Sequence, residues 1–211
     1  ASACDQFEKE TGVLLKSAPT PFVPDISQDK LDDLCSQPGE FGEEASHFLM
    51  QLLYCARNAR PDIVIAITRL ASRVCKWNAD CDRRLIRLYE YLKSHTLLHL
   101  TGSLSTADCQ AVTIDAWPDA DLAGDKCDSK STSGRFIELS NPATGRSMPL
   151  NWKANKQTST AHSTPEAETV SLDACIREDC ILIQDLFHLL LGRAIDVIVH
   201  EDNETTITNV E

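Results

Sequence analysis

Apolar residues in segment 43–107 recur at the spacing of a helix. The pattern predicts one helix over residues 43–57, a second that begins at Pro61, and a third over residues 80–94. The apolar face of the first helix holds Phe48, Leu49, Leu52, Leu53 and Ala56. This segment is therefore predicted to be a small helical unit.

After residue 107 the pattern changes from helical spacing to the alternation of strands. Strands are predicted over residues 111–117, 134–139, 147–152 and 195–200, and helices over residues 166–188 and from residue 203. Three consecutive strands that form a meander, followed by a helical crossover to a fourth, give a mixed sheet. The fold class is therefore predicted to be α/β, with flanking helices and a domain over residues 108–211.

Residues 1–42 have little periodicity and are rich in proline and glycine. They are predicted to form an extended, loosely ordered arm. No apolar run of the chain is long enough to cross a bilayer, and no secretory signal pattern is present at the beginning of the sequence. We therefore expect no membrane span.

The charge of the chain is strongly acidic but unevenly distributed. The formal net charge is −12, which argues against a general polyanion-binding surface. Residues 55–95 nevertheless carry nine Lys and Arg against four acids. This basic segment is either a solvated helix face or a nucleic-acid-binding surface, and the sequence leaves both interpretations open.

The nine cysteines do not form a metal-binding or disulfide pattern. There is no CxxC pair and no Cys/His cluster at zinc spacing. We expect mostly buried free thiols and a reducing compartment, cytoplasm or nucleus. Cys175 and Cys180 are five residues apart on one predicted helix, which places them roughly on opposite sides of it.

Three carboxylates occupy positions where acids can converge. Asp119 is expected at the end of the first strand, Glu168 in the first turns of the following helix, and Asp202 at the end of the fourth strand. A parallel pairing of the first and fourth strands would bring Asp119 and Asp202 together. Converging acids repel unless a cation such as Mg²⁺ or Mn²⁺ neutralises them. The same positions also suit ordinary turn and capping residues, so both interpretations stay open.

Several short runs extend this pattern in a fixed order. They are PDADLAGD at residues 118–125, KSTSG at 130–134, WKANKQ at 152–157, STPEAE at 163–168 and EDN at 201–203. Together they resemble the RNase H domain of copia-type retrotransposon Pol polyproteins. Upstream, LLYCAR at 52–57, RPDI at 60–63 and LYEYLK at 88–93 resemble the end of the reverse transcriptase region of the same polyproteins.

The resemblance implies a function and a set of site residues. Asp119, Glu168 and Asp202 would hold two Mg²⁺ (or Mn²⁺) ions that cut the RNA strand of an RNA–DNA hybrid. The residues implied to contact the nucleic acid are Ser131, Thr132, Lys153 and Lys156. The partners implied are the hybrid and the remainder of the polyprotein.

Two features of the chain depart from this family. The family's fold supplies a fourth carboxylate from a last helix, and the sequence ends at Glu211 before such a helix is complete. Leu122 and Thr169 stand where the family often has aromatic residues. The polymerase's paired aspartates are absent, so no DNA synthesis is expected.

Three functions are therefore compared. The first is an RNase H-type endonuclease. The second is a catalytically inactive RNase H-like remnant that serves as a structural or interaction subunit of a larger assembly. The third is a nucleic-acid-binding module that uses the basic helices and whose binding weakens steeply with salt. His162 and His200 flank the acids, either as structural or as catalytic histidines.

Overall fold

The computed structural model of the chain describes residues 2–124 and 130–210. It divides into two compact units, Ala1–His99 and Leu100–Glu211. The finer predicted division at residues 42 and 107 stays a prediction. In the part of the chain that the structure describes, no helix combines the length and the apolar character that a membrane crossing requires.

The regular elements of the first unit are helices in its described residues, joined by loops and one isolated bridge between Pro38 and Asn78. Its helices are α1 (Ala3–Thr11), α2 (Gln28–Ser36), α3 (Ala45–Asn58), α4 (Val64–Ala71) and α5 (Ala79–Ser94), with 3₁₀ turns at Pro61–Ile63 and Val74–Lys76. The three helices predicted from apolar spacing correspond to α3, to the Pro61 turn with α4, and to α5. The predicted helical segment is therefore confirmed.

The arm predicted over residues 1–42 contains two helices, which corrects the expectation of an extended, loosely ordered segment. Ser2 accepts a hydrogen bond from the backbone N–H of Asp5 at 3.2 Å, and the Asp5 carboxylate accepts one from Ser2 N–H at 2.9 Å. This capping box begins α1, and Gly12 ends it with a positive φ of 72°. Phe7 is fully buried and stacks on Tyr89 at 4.1 Å. Burial of Phe7 therefore anchors α1, which precedes the prolines that favoured the opposite prediction.

The second unit is a mixed four-stranded sheet with helices. Its strands are β1 (Thr113–Asp121), β2 (Thr132–Asn141), β3 (Arg146–Lys156) and β4 (Val197–Val199), in the order β3-β2-β1-β4. β1, β2 and β3 pair antiparallel, and β4 pairs parallel to β1. The helices are α6 (Thr164–Cys175), α7 (Ile181–Leu191) and α8 (Glu204–Val210). The predicted α/β fold class is confirmed, and the sheet is consistent with an RNase H-like fold.

β1 extends farther than predicted, because Pro118 does not interrupt it. Ile114 donates to Asp196 O, and Ala116 O accepts from His200 N–H, so alternate residues of β1 bond towards β4. Pro118 continues that series, but β4 has already ended at Val199. The missing N–H of the proline therefore faces a side where no ladder bond is required. As a result Asp119 lies inside β1 and not at its end.

A π turn at Ile176–Cys180 separates α6 from α7 and changes the expected arrangement of two thiols. The sulfur atoms of Cys175 and Cys180 lie 3.9 Å apart and are buried, whereas opposite sides of a helix were predicted. The wider π turn rotates each residue by a smaller angle, which brings positions five apart onto one face. Both thiols pack in the core beneath the sheet with Ile114 and Ile137.

Candidate metal centre

A group of carboxylates gathers where β4 ends and α6 begins. Glu168, Glu201 and Asp202 each offer one oxygen atom, and these atoms all lie within 4.8 Å of one another. Glu168 is on the buried face of α6, and the other two lie between β4 and α8. Two separate parts of the chain therefore build one acidic site.

The start of α6 is fixed by capping. Ser163 Oγ accepts from the backbone N–H of Glu166 at 3.4 Å, and the Glu166 carboxylate accepts from His162 N–H at 2.7 Å. Pro165 occupies the first turn. Further along, Ser171 Oγ hydrogen-bonds the backbone oxygen of Asp119 at 2.8 Å. This contact fixes the helix that carries Glu168 to the strand that carries Asp119.

The loop that carries Glu201 and Asp202 is held by the cap of α8. The Asn203 side chain accepts from the backbone N–H of Thr206 at 3.0 Å. Thr206 is fully buried, and its hydroxyl donates to Pro165 O at 3.4 Å. Because Pro165 is in the first turn of α6, this bond brings the loop next to Glu168.

The environment of Glu168 is unfavourable for a negative charge. The residue is 4% exposed. Burial raises the pKa of its carboxyl from 4.5 to about 7, together with the charges of Asp119, Glu201 and Asp202, while a hydrogen bond from Ala120 N–H opposes the rise. No lysine or arginine is among the largest causes of this shift in the pKa of Glu168. The carboxylate is therefore surrounded by like charges.

Two oxygen atoms of the site are buried without a hydrogen-bond partner, Glu168 Oε2 and Glu201 Oε2. Burying a polar atom without a partner is unfavourable by about 1–3 kcal/mol. Hard divalent cations prefer carboxylate oxygens, so these residues fit Mg²⁺ or Mn²⁺. A cation bound there would satisfy the atoms that the fold leaves unpaired.

The predicted ligands are placed differently from one another. Glu168 and Asp202 are members of the 4.8 Å group, and Asp119 is not. Asp119 is exposed on β1 opposite Gly134, and its charge acts on Glu168. Metal binding by Asp119, Glu168 and Asp202 stays a prediction, with the acids now shown to be neighbours.

Several of the residues predicted to contact nucleic acid are buried or contact other groups of the protein. Ser131 and Thr132 are buried, and Ser131 Oγ accepts from Ala123 N–H at 3.4 Å. Lys153 Nζ lies 3.5 Å from a carboxylate oxygen of Glu178. Lys156 is the last residue of β3 and is half-buried. Their role towards nucleic acid stays a prediction.

The two flanking histidines differ in their contacts. His200 Nε2 lies 2.7 Å from a carboxylate oxygen of Asp115, and its ring stacks on Trp117 at 4.6 Å. These contacts favour the structural interpretation. The side chain of His162 is exposed, and its backbone N–H contributes to the cap of α6.

Glu201 is the residue that reasoning from the sequence missed. It stands next to Asp202, and strand alternation would place neighbouring residues on opposite faces. β4 ends at Val199, however, so alternation no longer applies at these positions. The signal available in the sequence was the acidic pair that directly follows an apolar strand.

The fold and the site define a class of protein: an α/β domain with a carboxylate site suited to a hard divalent cation. The chain is 30% identical over 154 residues to the "Retrovirus-related Pol polyprotein from transposon RE1" of Arabidopsis thaliana. The match covers 72% of this chain and 9% of that protein. The chain is thus a distant relative of a short part of a retrotransposon Pol polyprotein. No protein-family model and no solved structure matches it.

Proposed function

We propose that the second unit is an RNase H-type endonuclease module of a copia-type retrotransposon polyprotein. Its substrate is an RNA–DNA hybrid, of which it cleaves the RNA strand. The observation that carries the proposal is the buried Glu168 carboxylate, whose Oε2 atom has no hydrogen-bond partner, beside Glu201 and Asp202. The similarity to a Pol polyprotein supports the same assignment.

The residues that would hold divalent cations are Asp119, Glu168 and Asp202. Bound Mg²⁺ or Mn²⁺ would supply Lewis-acid polarisation of the phosphodiester and would neutralise charge on the leaving oxygen. The carboxylates supply hard oxygen donors in a site where the charges that act most strongly on Glu168 are those of other acids. Asp119 is exposed and is therefore accessible to a ligand from solvent.

The protein's own groups also control protonation at the site. Because the pKa of Glu168 is raised to about 7, its carboxyl exchanges a proton near neutral pH. Only the deprotonated form is a cation ligand. Glu168 therefore carries a proton on its carboxyl oxygens in part of the molecules near neutral pH, and it must lose that proton to bind a cation.

The test is cleavage of a hybrid duplex whose RNA strand is labelled, with Mg²⁺ or Mn²⁺, by the full chain. We expect cleavage of the RNA strand and none of the DNA strand. Asp119→Asn should abolish it, since the change removes a charge but not the shape of the side chain. Glu43→Gln is the matched control, because Glu43 is an exposed acid of the other unit. A folded wild-type protein that does not cut the hybrid would refute the proposal.

A second function is favoured by the net charge of −12. A strongly acidic chain repels a polyanionic substrate, which suits an inactive RNase H-like remnant that is a structural or interaction subunit of a larger assembly. This alternative predicts no cleavage and no effect of Asp119→Asn in any nuclease assay. Divalent-dependent cleavage that the Asp119 change abolishes would exclude it.

A further inference from the structure

We propose that Glu201 is an additional ligand of the divalent-cation site. This assignment rests on the proposed function only in naming the reaction that the bound cation would serve. The cation site itself is argued from the geometry of the second unit. The residue lies outside the three acids that the sequence singled out.

Position is the first observation. Glu201 belongs to the 4.8 Å group with Glu168 and Asp202, whereas Asp119 does not. An ion that contacts Glu168 and Asp202 at ordinary cation–oxygen distances of about 2.0–2.6 Å would lie within reach of Glu201 as well. The 4.8 Å group therefore has three donors, of which the predicted set supplies two and Glu201 is the third.

Independent of the clustering, one side chain of the site is almost completely buried and unpartnered. Glu168 is 4% exposed, and its Oε2 atom has no hydrogen-bond partner. The Oε2 atom of Glu201 is likewise buried and has no hydrogen-bond partner. Two unpaired carboxylate oxygens on neighbouring residues cannot satisfy each other while both are ionised, because both are acceptors only. A cation between them satisfies both.

Glu201 is also held in place for this role. Its Oε1 atom accepts a hydrogen bond from the backbone N–H of Asn203 at 3.1 Å. The bond fixes one oxygen of the carboxylate and leaves the other, Oε2, for a ligand. Asp202 is exposed, so the half-buried Glu201 is the more enclosed of the two adjacent acids.

The experiment measures cation binding directly, without the nuclease reaction. Mn²⁺ is titrated into the full chain, and free Mn²⁺ is followed by electron paramagnetic resonance. Glu201→Gln removes the charge and keeps the size of the side chain. Glu204→Gln is the matched control, because Glu204 is an exposed acid three residues away and the change in net charge is the same. Circular dichroism verifies that each variant is folded.

We expect Glu201→Gln to weaken Mn²⁺ binding by about tenfold or more, since loss of even an outer-shell partner of a metal ligand has an effect of that size. Glu204→Gln should change it by less than about twofold, because only long-range charge is lost. Equal affinities of the two variants would overturn the assignment. So would a wild-type chain that binds no Mn²⁺ at millimolar concentration.

A third variant, Glu201→Asp, tests the assignment if the glutamine form does not fold. It keeps the charge but shortens the reach, and an intermediate affinity is expected. Unchanged affinity in this variant would contradict a direct ligand role. If Glu201→Gln weakens Mn²⁺ binding and the wild type does not cut the hybrid, this inference stands and the proposed function fails. If the hybrid is cut but Glu201→Gln binds Mn²⁺ like the wild type, the reverse holds.

Discussion

Two buried carboxylates, one in each unit, lie in opposite electrostatic environments. Asp80 in α5 is fully buried and lies 2.5 Å from Arg84, 2.8 Å from Arg83 and 3.7 Å from Arg73. Burial alone would raise the pKa of Asp80, but the hydrogen bonds and charges of Arg84 and Arg83 hold it below its usual value. Glu168 is almost as buried, and its neighbours are acids that help raise its pKa to about 7.

The difference separates a carboxylate that serves the fold from one that serves a ligand. Asp80 is compensated within its own unit, where it also lies in the positive first turn of α5. Glu168 instead lies among acids whose charges raise its pKa, and a fold gains nothing by keeping buried like charges together. Strongly perturbed carboxyls of this kind are typical of functional sites. The comparison therefore supports a cation ligand role for Glu168 and a structural role for Asp80.

Pairing also changes the interpretation of the basic segment in residues 55–95. Besides the arginines at Asp80, Arg60 pairs with Asp62 at 2.8 Å and Lys93 with Glu8 at 2.7 Å. Ion pairs with these acids hold at least five of the nine cations of the segment: Arg60, Arg73, Arg83, Arg84 and Lys93. The structure therefore favours a structural helix face over a nucleic-acid-binding module.

The largest expected effect comes from removing the compensated carboxylate. Asp80→Asn leaves three arginines close together without their shared anion. Breaking a buried ion pair from one side costs about 3–5 kcal/mol, and since the arginines are partly exposed we expect about 3 kcal/mol. The free energy of unfolding is measured by urea denaturation, with fluorescence of Trp77 as the signal from this unit.

Glu43→Gln is the control for Asp80→Asn, since it removes an exposed acid of the same unit. Surface changes of this kind stay within about 0.5 kcal/mol. If both variants unfold at the same urea concentration, Asp80 is not held by its arginines, and the contrast with Glu168 is lost.

The next effect is stabilisation of the second unit by a divalent cation. A ligand that binds only the folded state stabilises it by about 1.4 kcal/mol at about ten times its Kd. Hydrogen exchange, read by mass spectrometry, should slow in peptides from α6 and from β1. Peptides from α5 should be unchanged, because Asp80 is already neutralised. Equal protection of the two units would show that the cation acts non-specifically.

Much of the fold, and part of the acidic site, could be predicted from the sequence. Apolar spacing predicted α3 and α5, and the order of strands predicted that β1 and β4 would pair in parallel. From that pairing we predicted the approach of Asp119 and Asp202, since acids at the ends of neighbouring parallel strands meet at one edge of the sheet. The structure places Asp202 beside Glu168, and Asp119 stays outside the 4.8 Å group.

The parts that could not be predicted depend on contacts between distant residues. The π turn carries Glu178 and Asp179, which pair with Arg135 of β2, and this long-range contact stabilises a turn that local propensity does not favour. Glu201 reaches the site because β4 is only three residues long, and strand ends are set by tertiary packing. In the second unit, Glu168 and Asp202 were predicted as members of the acidic site, whereas Glu201 was not.

A smaller effect, of opposite sign to that of Asp80→Asn, is expected from Glu168→Gln in the absence of divalent cations. The change removes a buried charge that repels its neighbours, so we expect stabilisation of about 1 kcal/mol at about pH 8. Urea denaturation with a chelator present, followed by fluorescence of Trp117 and Trp152, measures it. Glu204→Gln serves as the control with the same change in charge. A Glu168 variant less stable than the wild type under these conditions would contradict the proposed environment.

The pH dependence of that difference sharpens the comparison. Because the pKa of Glu168 is raised in the folded state, its favourable contribution is complete below about pH 4.5 and is lost as the pH rises through about 7. The free energy of unfolding of Glu168→Gln should therefore exceed that of the wild type by little near pH 5, and the difference should grow up to about pH 8. The pKa of Asp80 is lowered below its usual value of 3.8. The contribution of Asp80 to the free energy of unfolding is therefore lost only as the pH falls below 3.8.

The smallest effect is expected from removing one of the three cations at Asp80. Arg84→Gln deletes an ion pair at 2.5 Å but leaves Arg83 at 2.8 Å, so Asp80 keeps a partner. Since the Arg84 side chain is 32% exposed, the loss should be about 0.5–1 kcal/mol, as for partly exposed pairs. Urea denaturation of Arg84→Gln and Asp80→Asn under the same conditions compares the two losses in free energy of unfolding. If the arginine change is as damaging as the aspartate change, Asp80 depends on a single partner, and its charge is less securely compensated than the three arginines suggest.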